Sequence, residues 1–201
     1  MCIRDRLIIV NDGSPNSVEQ GIANIKAAIP ELNYVSYKDN KGKGYALRQG
    51  VKASAAEVIM YTDHDLPYTY GSMENMLKVL RREPESIVIG HRGENYYKDL
   101  PWIRTKVSHY LKTTNRFILG LNTDDTQCDL KVFDNSLKNL FLQTKTNRFL
   151  IDIEFLRRLR KAGKPVKVID VKSRENVIMS SLSFRTIFSE LWAYFKILLF
   201  V

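Results

Sequence analysis

Cysteine is scarce in this 201-residue chain. Cys2 and Cys128 are too few for a disulfide framework and lack metal-ligand spacing, so a reducing, cytosolic setting is the simpler reading. No run of about 18 uninterrupted apolar residues occurs, and the start of the chain has no apolar core of signal-peptide length. The stretch from Phe184 to Val201 comes closest to a membrane segment. RNP-like and zinc-finger spacings are also missing, which argues against nucleic acid as the partner. What remains is a net charge of +9, with 44% hydrophobic and 26% charged residues. That composition is normal for a globular protein with a packed core, so disorder is not the default reading. The positive excess suits nucleotide phosphates or an anionic membrane surface.

Short apolar runs alternate with helical patterns. Leu7–Val10, Tyr34–Tyr37, Val58–Tyr61 and Ile87–Ile89 read as strands. Val18–Ala28, capped by Ser17 or Asn16, and Tyr45–Ser54, opened by the Gly42–Gly44 turn, read as helices. Met73, Met76, Leu77 and Leu80 mark another helix. Farther on, the pattern predicts a helix from about Trp102 to Leu119 and a polar loop from Asp124 to Lys131. A helix over Ile151–Ala162 and a strand over Val166–Val171 follow. Phe184, Ile187, Phe188, Leu191, Trp192, Phe195 and Leu198 then repeat at helical spacing. Alternating strands and helices predict an α/β fold with a mostly parallel central sheet, helices on both faces and a C-terminal amphipathic helix.

In such sheets the ligand site lies beyond the carboxyl ends of the strands. Three polar segments meet there: Asn11–Ser14, Asp63–Asp65 and Gly90–Arg92. Asp63 and Asp65, one residue apart, can converge on a hard cation such as Mg²⁺ or Mn²⁺. The same spacing also suits a solvated turn or a helix cap. His64 between them reads as a spacer or an outer supporting residue. Gly13 permits close backbone approach, and Asp12 can accept hydrogen bonds from a base or ribose. Lys41, Gly42, Lys43 and Gly44 form a basic loop that could touch a diphosphate or be a solvated turn. Arg104 and Ser108 share a helix face and, with Arg92, could grip a phosphate or be plain surface residues.

Together and in order, these segments resemble the family-2 glycosyltransferases of GT-A fold. Within them the match is to the polyprenyl-phosphate group, which includes the dolichol-phosphate mannosyl- and glucosyltransferases. The matching strings are VNDGSPNS, NKGKGYALRQG, MYTDHDLP, IGHR, IRTKVSHYL, DDTQCDLKVF and FLIDIEFLRRLRKAGKPVKVIDV. They span about 165 residues, Leu7 to Val171. The D-T-Q-C-x-x-K-x-F string after R-x-x-x-S is the narrowest signal.

The resemblance implies inverting, metal-dependent transfer from a nucleotide-sugar of UDP-glucose or GDP-mannose type to a polyprenyl or dolichyl phosphate. Asp63 and Asp65 would hold the metal and the donor diphosphate. Asp12 would contact the nucleobase, with Lys41–Gly44 near the donor nucleotide. Asp125 and Gln127 would lie near the sugar, and Arg92, Arg104, Ser108 and Lys131 would serve the acceptor phosphate. Such an enzyme would sit peripherally at the cytoplasmic face of a membrane, with residues 176–201 as an amphipathic segment. That segment could equally pack on the domain. The rival expectations are transfer to a saccharide hydroxyl, with Asp125 as base, and an inactive remnant.

The chain departs from the family pattern in three places. Asn11 replaces the first of two acids, and Asp129 stands where glycine follows the Gln-Cys pair. The family's opening strand and its nucleotide-binding loop have no match, which suggests a non-native start over residues 1–6. A transferase domain over 7–175 would then be incomplete, poorly folding and inactive without an upstream extension.

Overall fold

The computed structural model describes residues 6–92 and 128–174. Strand β1 (Ile8–Asp12) leads through α1 (Glu19–Ala28) to β2 (Asn33–Tyr37). Then come α2 (Lys43–Ala53), β3 (Val58–Tyr61), α3 (Tyr70–Arg82) and β4 (Ile87–Arg92). After the undescribed stretch follow β5 (Lys131–Asp134), a 3₁₀ turn (Asn135–Leu137), α4 (Lys138–Leu142), α5 (Ile151–Lys161) and β6 (Val166–Val171). The expected helix from Trp102 to Leu119 and the stripe from Phe184 to Leu198 lie outside the described residues.

Two sheets form. In the smaller, β1 and β2 pair in parallel, Ile8 opposite Asn33 and Asp12 opposite Tyr37. The larger has the order β3-β5-β4-β6. Here β3, β4 and β6 point one way, and β5 runs against both of its neighbours. The parallel expectation therefore holds for every strand except β5. The polarity pattern puts Lys131 at the end of a polar loop. Instead Lys131 opens β5 and stands opposite Tyr61 of β3. Among the described residues, β1 and β3 do not pair with each other.

Alternation along the strands divides the core, because successive side chains face opposite sides of a sheet. Ile87, Ile89 and Phe133 face α2, α4 and α5, packing with Val51, Phe141 and Leu156. Val88 and Val132 face α3 and pack with Met76 and Leu80. On the first face Phe133, Phe141 and Phe155 form a cluster with ring centroids 4.8–5.6 Å apart. Two of these pairs are edge-to-face and Phe133 stacks on Phe141, geometries that add to plain area burial. Helices thus cover both sheet faces, as the patterning predicts.

Helix starts deviate from expectation in two places. Thr69 caps α3, its side chain accepting from the Ser72 amide. The N-cap of α1, however, is Val18 and has no side-chain cap. Ser17 fails as its cap because its hydroxyl bonds the Glu19 carboxylate. Helix α2 begins at Lys43, earlier than the expected Tyr45, with Gly42 as N-cap at φ 97°. Among the described residues no helix is long and apolar enough to cross a membrane.

Candidate active site

The end of β1 is tied to the basic loop before α2. Asp12 accepts from the Lys41 amide through Oδ1 and from the Gly42 amide through Oδ2, both at 2.8 Å. Gly13 has φ 65°, and a Cβ there would stand 2.6 Å from the Asn40 amide nitrogen, so a side chain cannot fit. Asn11 uses both ends of its amide. Its Nδ2 donates to the Tyr34 hydroxyl at 3.0 Å, and its Oδ1 accepts from the Ser14 amide at 2.9 Å.

The same loop is held from its other side. The Gly44 and Tyr45 amides donate to the Asn147 carbonyl at 2.8 and 3.3 Å. A Cβ on Gly42 would lie 2.5 Å from that oxygen, which explains the glycine. The segment carrying Asn147 is itself fixed by buried Glu154, whose carboxylate accepts from the Lys145 and Thr146 amides at 2.8–3.0 Å. Burial pushes the Glu154 carboxyl up, but bonds from Thr146, Lys145 and Arg158 outweigh it and hold the group low. The Lys41, Gly42 and Gly44 amides are therefore engaged within the protein. Those three amides already bond acceptors within the protein, so a diphosphate contact by this loop, one reading of it, would draw on its other groups. The lysine side chains remain. The Lys41 ammonium lies over the Tyr45 ring, 4.8 Å from its centroid. Tyr45 meets Tyr37 edge-on at 5.3 Å.

Lys43 reaches the centre of the rim. Its Nζ donates to Asp63 Oδ1 at 2.8 Å and also to Asp129 Oδ1. The three side chains are 19%, 39% and 24% exposed, so the cluster is half-buried but reachable. Burial would lower the Lys43 pKa, but Asp129, Asp152 and Asp63 reverse this and raise it. Asp63 is pushed up by burial and by Asp129, with Lys43 opposing. For Asp129 burial acts upward, yet Lys43, Lys131 and Arg92 prevail and hold it low. Asp63 is thus the less compensated of the two acids. His64 and Asp65 are exposed in the following turn, where Leu66 adopts φ 46°.

Among the described residues, no group of three or more His, Cys, Asp or Glu is arranged to hold a metal. Asp63 and Asp65 nonetheless supply the hard oxygen donors that Mg²⁺ and Mn²⁺ prefer to share with phosphates. Among the described residues, the buried Thr62 hydroxyl beside Asp63 lacks a hydrogen-bond partner, while the Tyr37 hydroxyl at the end of β2 is directed at Asp12. Thr62 lies at the strand end on the rim, where a bound polar ligand would satisfy it. The donor chemistry and the orphan hydroxyl next to Asp63 fit a metal–diphosphate group there.

Other expected residues divide clearly. Arg92 ends β4 and is half-buried, and its charge acts on Asp129. Gly90 lets β4 approach Cys128, since a Cβ there would stand 2.7 Å from Sγ. Arg104, Ser108, Asp125 and Gln127 lie outside the described residues. Lys131 needs correction as an acceptor-phosphate residue. It is fully buried, pairs with Asp152 at 3.0 Å and donates to the Cys128 carbonyl. The Tyr61 ring lies 5.7 Å from its ammonium, and the Tyr61 hydroxyl donates to Asp152 at 2.6 Å. The ammonium is already fully engaged inside the fold. Sequence reasoning missed Asp152 and Glu154 altogether, although two acids among Leu150, Ile151, Ile153 and Phe155 are a visible sign of buried charge.

The family model for Glycosyl transferase family 2 matches residues 3–141. A dolichyl-phosphate beta-glucosyltransferase of Trichomonas vaginalis is 26% identical over 178 residues, covering 84% of this chain and 54% of the relative. The dolichyl-phosphate beta-glucosyltransferase of Saccharomyces cerevisiae is 25% identical over 173 residues, covering 76% and 52%. The chain spans about half the length of the curated relatives it matches. Among solved structures, glucosyl-3-phosphoglycerate synthase from Mycobacterium tuberculosis with uridine diphosphate superposes with a TM-score of 0.65 at 18% identity, covering 97% of this chain and 68% of that one. Its complex with Mn²⁺, UDP-glucose and phosphoglyceric acid gives 0.57 at 17% identity, covering 86% and 62%. These likenesses establish the GT-A fold.

Proposed function

The chain belongs to glycosyl transferase family 2, and we propose that it moves a sugar from a UDP-glucose or GDP-mannose type donor to a polyprenyl or dolichyl phosphate. The observation that carries this reading is the half-buried Asp63–Lys43–Asp129 cluster at the strand-end rim of a family-2 fold. The dolichyl-phosphate relatives support the acceptor class.

A phosphate acceptor simplifies the chemistry. Its oxygen is already anionic and needs no general base, unlike a sugar hydroxyl. The lipid phosphate oxygen forms a bond to the anomeric carbon as the bond from that carbon to the diphosphate breaks. The electron pair leaves on the nucleoside diphosphate, and direct displacement inverts the centre. A divalent metal held by Asp63 and Asp65 would neutralise the charge that builds on the diphosphate. Lys41 and Lys43 add positive charge on the donor side through their side chains. Asp12 frames the nucleotide side. Arg92, with Arg104 and Ser108, orients the acceptor phosphate, because guanidinium forks match phosphate geometry. Asp125 and Gln127 border the sugar. A lipid acceptor makes the membrane surface the place of work, at its cytoplasmic face, and the net charge of +9 favours anionic lipid.

The test is acceptor choice. Labelled UDP-glucose and GDP-mannose are each offered with dolichyl phosphate in micelles or with free saccharide, in Mn²⁺ or in chelator. We expect label on the lipid phosphate from one donor, and only with metal. Label on the saccharide alone would sink the reading in favour of hydroxyl transfer.

A further inference from the structure

We propose that Lys43 is a resident cation that shares Asp63 with the divalent metal, and that Asp129 is the berth to which Lys43 withdraws when the metal binds. This rests on the metal-dependent donor reading above. Lys43 Nζ contacts Asp63 Oδ1 at 2.8 Å and Asp129 Oδ1 at the same time. The ammonium therefore already joins two carboxylates, much as a divalent ion would. Lys43 holds Oδ1 of Asp63, so a metal on the same carboxylate, even through Oδ2, stands close to the ammonium, and the two positive charges repel at that range.

Lys43 has no easy route out to water. Its side chain is only 19% exposed, and the loop that carries it is tied by Asp12 on one side and Asn147 on the other. Asp129 offers an alternative that needs no backbone movement, because the contact already exists. Asp129 lies beside Asp63 as well as Lys43, and Arg92 and Lys131 lend it positive charge that Asp63 lacks. A second anion at this point keeps the ammonium inside the site after Asp63 has been surrendered.

The two variants act with opposite signs. Lys43→Met removes the competing cation from Asp63, whereas Asp129→Asn leaves Lys43 with Asp63 as its remaining carboxylate partner in the cluster. In donor-free protein, with free Mn²⁺ read by electron paramagnetic resonance, Lys43→Met should bind Mn²⁺ about tenfold more tightly and Asp129→Asn about tenfold more weakly. If Asp129 works by holding Lys43, its substitution should matter about threefold or less in the Lys43→Met background. An equal tenfold loss in both backgrounds would overturn the berth. An unchanged or weaker Mn²⁺ affinity in Lys43→Met would overturn the exchange. Thermal melts check folding, and Lys43→Gln repeats the measurement if Lys43→Met melts early. Wild-type binding that Asp63→Ala abolishes, with no effect of Lys43→Met, removes this proposal alone. No Mn²⁺ binding by the wild type removes both this proposal and the metal-dependent reading.

Discussion

Two lysine–aspartate contacts lie close together along this chain's rim and interior, and they differ in almost every physical respect except residue type. Lys131 and Asp152 are 0% and 3% exposed. Their remaining capacity is taken by the Tyr61 hydroxyl and the Cys128 carbonyl. Lys43 and its two acids are 19–39% exposed, with more anionic oxygen than ammonium. The first set is closed and has no vacancy for a ligand. The second is open and undercompensated, so it can trade partners. Burial together with hydrogen-bond saturation, rather than the presence of charged residues, separates scaffold from site.

The comparison breaks if the buried pair proves dispensable. Lys131→Ala leaves Asp152 charged and unpaired in the core, which costs about 3–5 kcal/mol. Chemical denaturation should report that loss, and a cost below about 1 kcal/mol would place the pair with surface ion pairs. Glu154→Gln is a smaller test, on the anchor of the loop around Asn147. It should cost about 1–3 kcal/mol at neutral pH, since hydrogen bonds to a charged acceptor are lost. Its pH sign follows from a folded pKa held below the ordinary glutamate value of 4.5. The stabilisation is present above that value and is lost as pH falls through the depressed folded pKa. The variant should therefore show a shallower acid limb in melts taken below about pH 4.5. The smallest effect concerns salt. Raising NaCl from about 0.1 to about 1 M should weaken the Lys43–Asp129 coupling in a double-mutant cycle by a few tenths of a kcal/mol. The Lys131–Asp152 coupling should not move, because its surroundings exclude ions.

The rim was legible because apolar runs ended abruptly in polar residues, at Asn11, Asp63 and His91, and the strand-end rule needs only that local pattern. The helices over Lys43–Ala53 and Ile151–Lys161 followed from spacing to within two residues at each end. What escaped was pairing. Lys131 looks like one more polar residue after Asp129, and only Asp152, distant in sequence, makes it interior. The antiparallel course of β5 likewise depends on which strands flank it, a tertiary fact with no signature in Lys131–Asp134. Asp129 was noticed as an odd residue, but its contact with Lys43 joins segments 86 positions apart.

The double fastening of the loop before α2 also has a consequence in time. Asp12 grips its amides at one end, and the Asn147 carbonyl grips the helix start at the other. A Cβ on Gly42 or Gly44 would strike the backbone of 146–148, so the two segments pack directly on each other. The partner change proposed for Lys43 then asks for rotation of its side chain rather than movement of this loop. Side-chain rotamer hops take picoseconds to nanoseconds, while loop and domain closures take microseconds to milliseconds. The exchange proposed for Lys43 would therefore be a side-chain event, distinct in kind from the slower closure of a loop or domain.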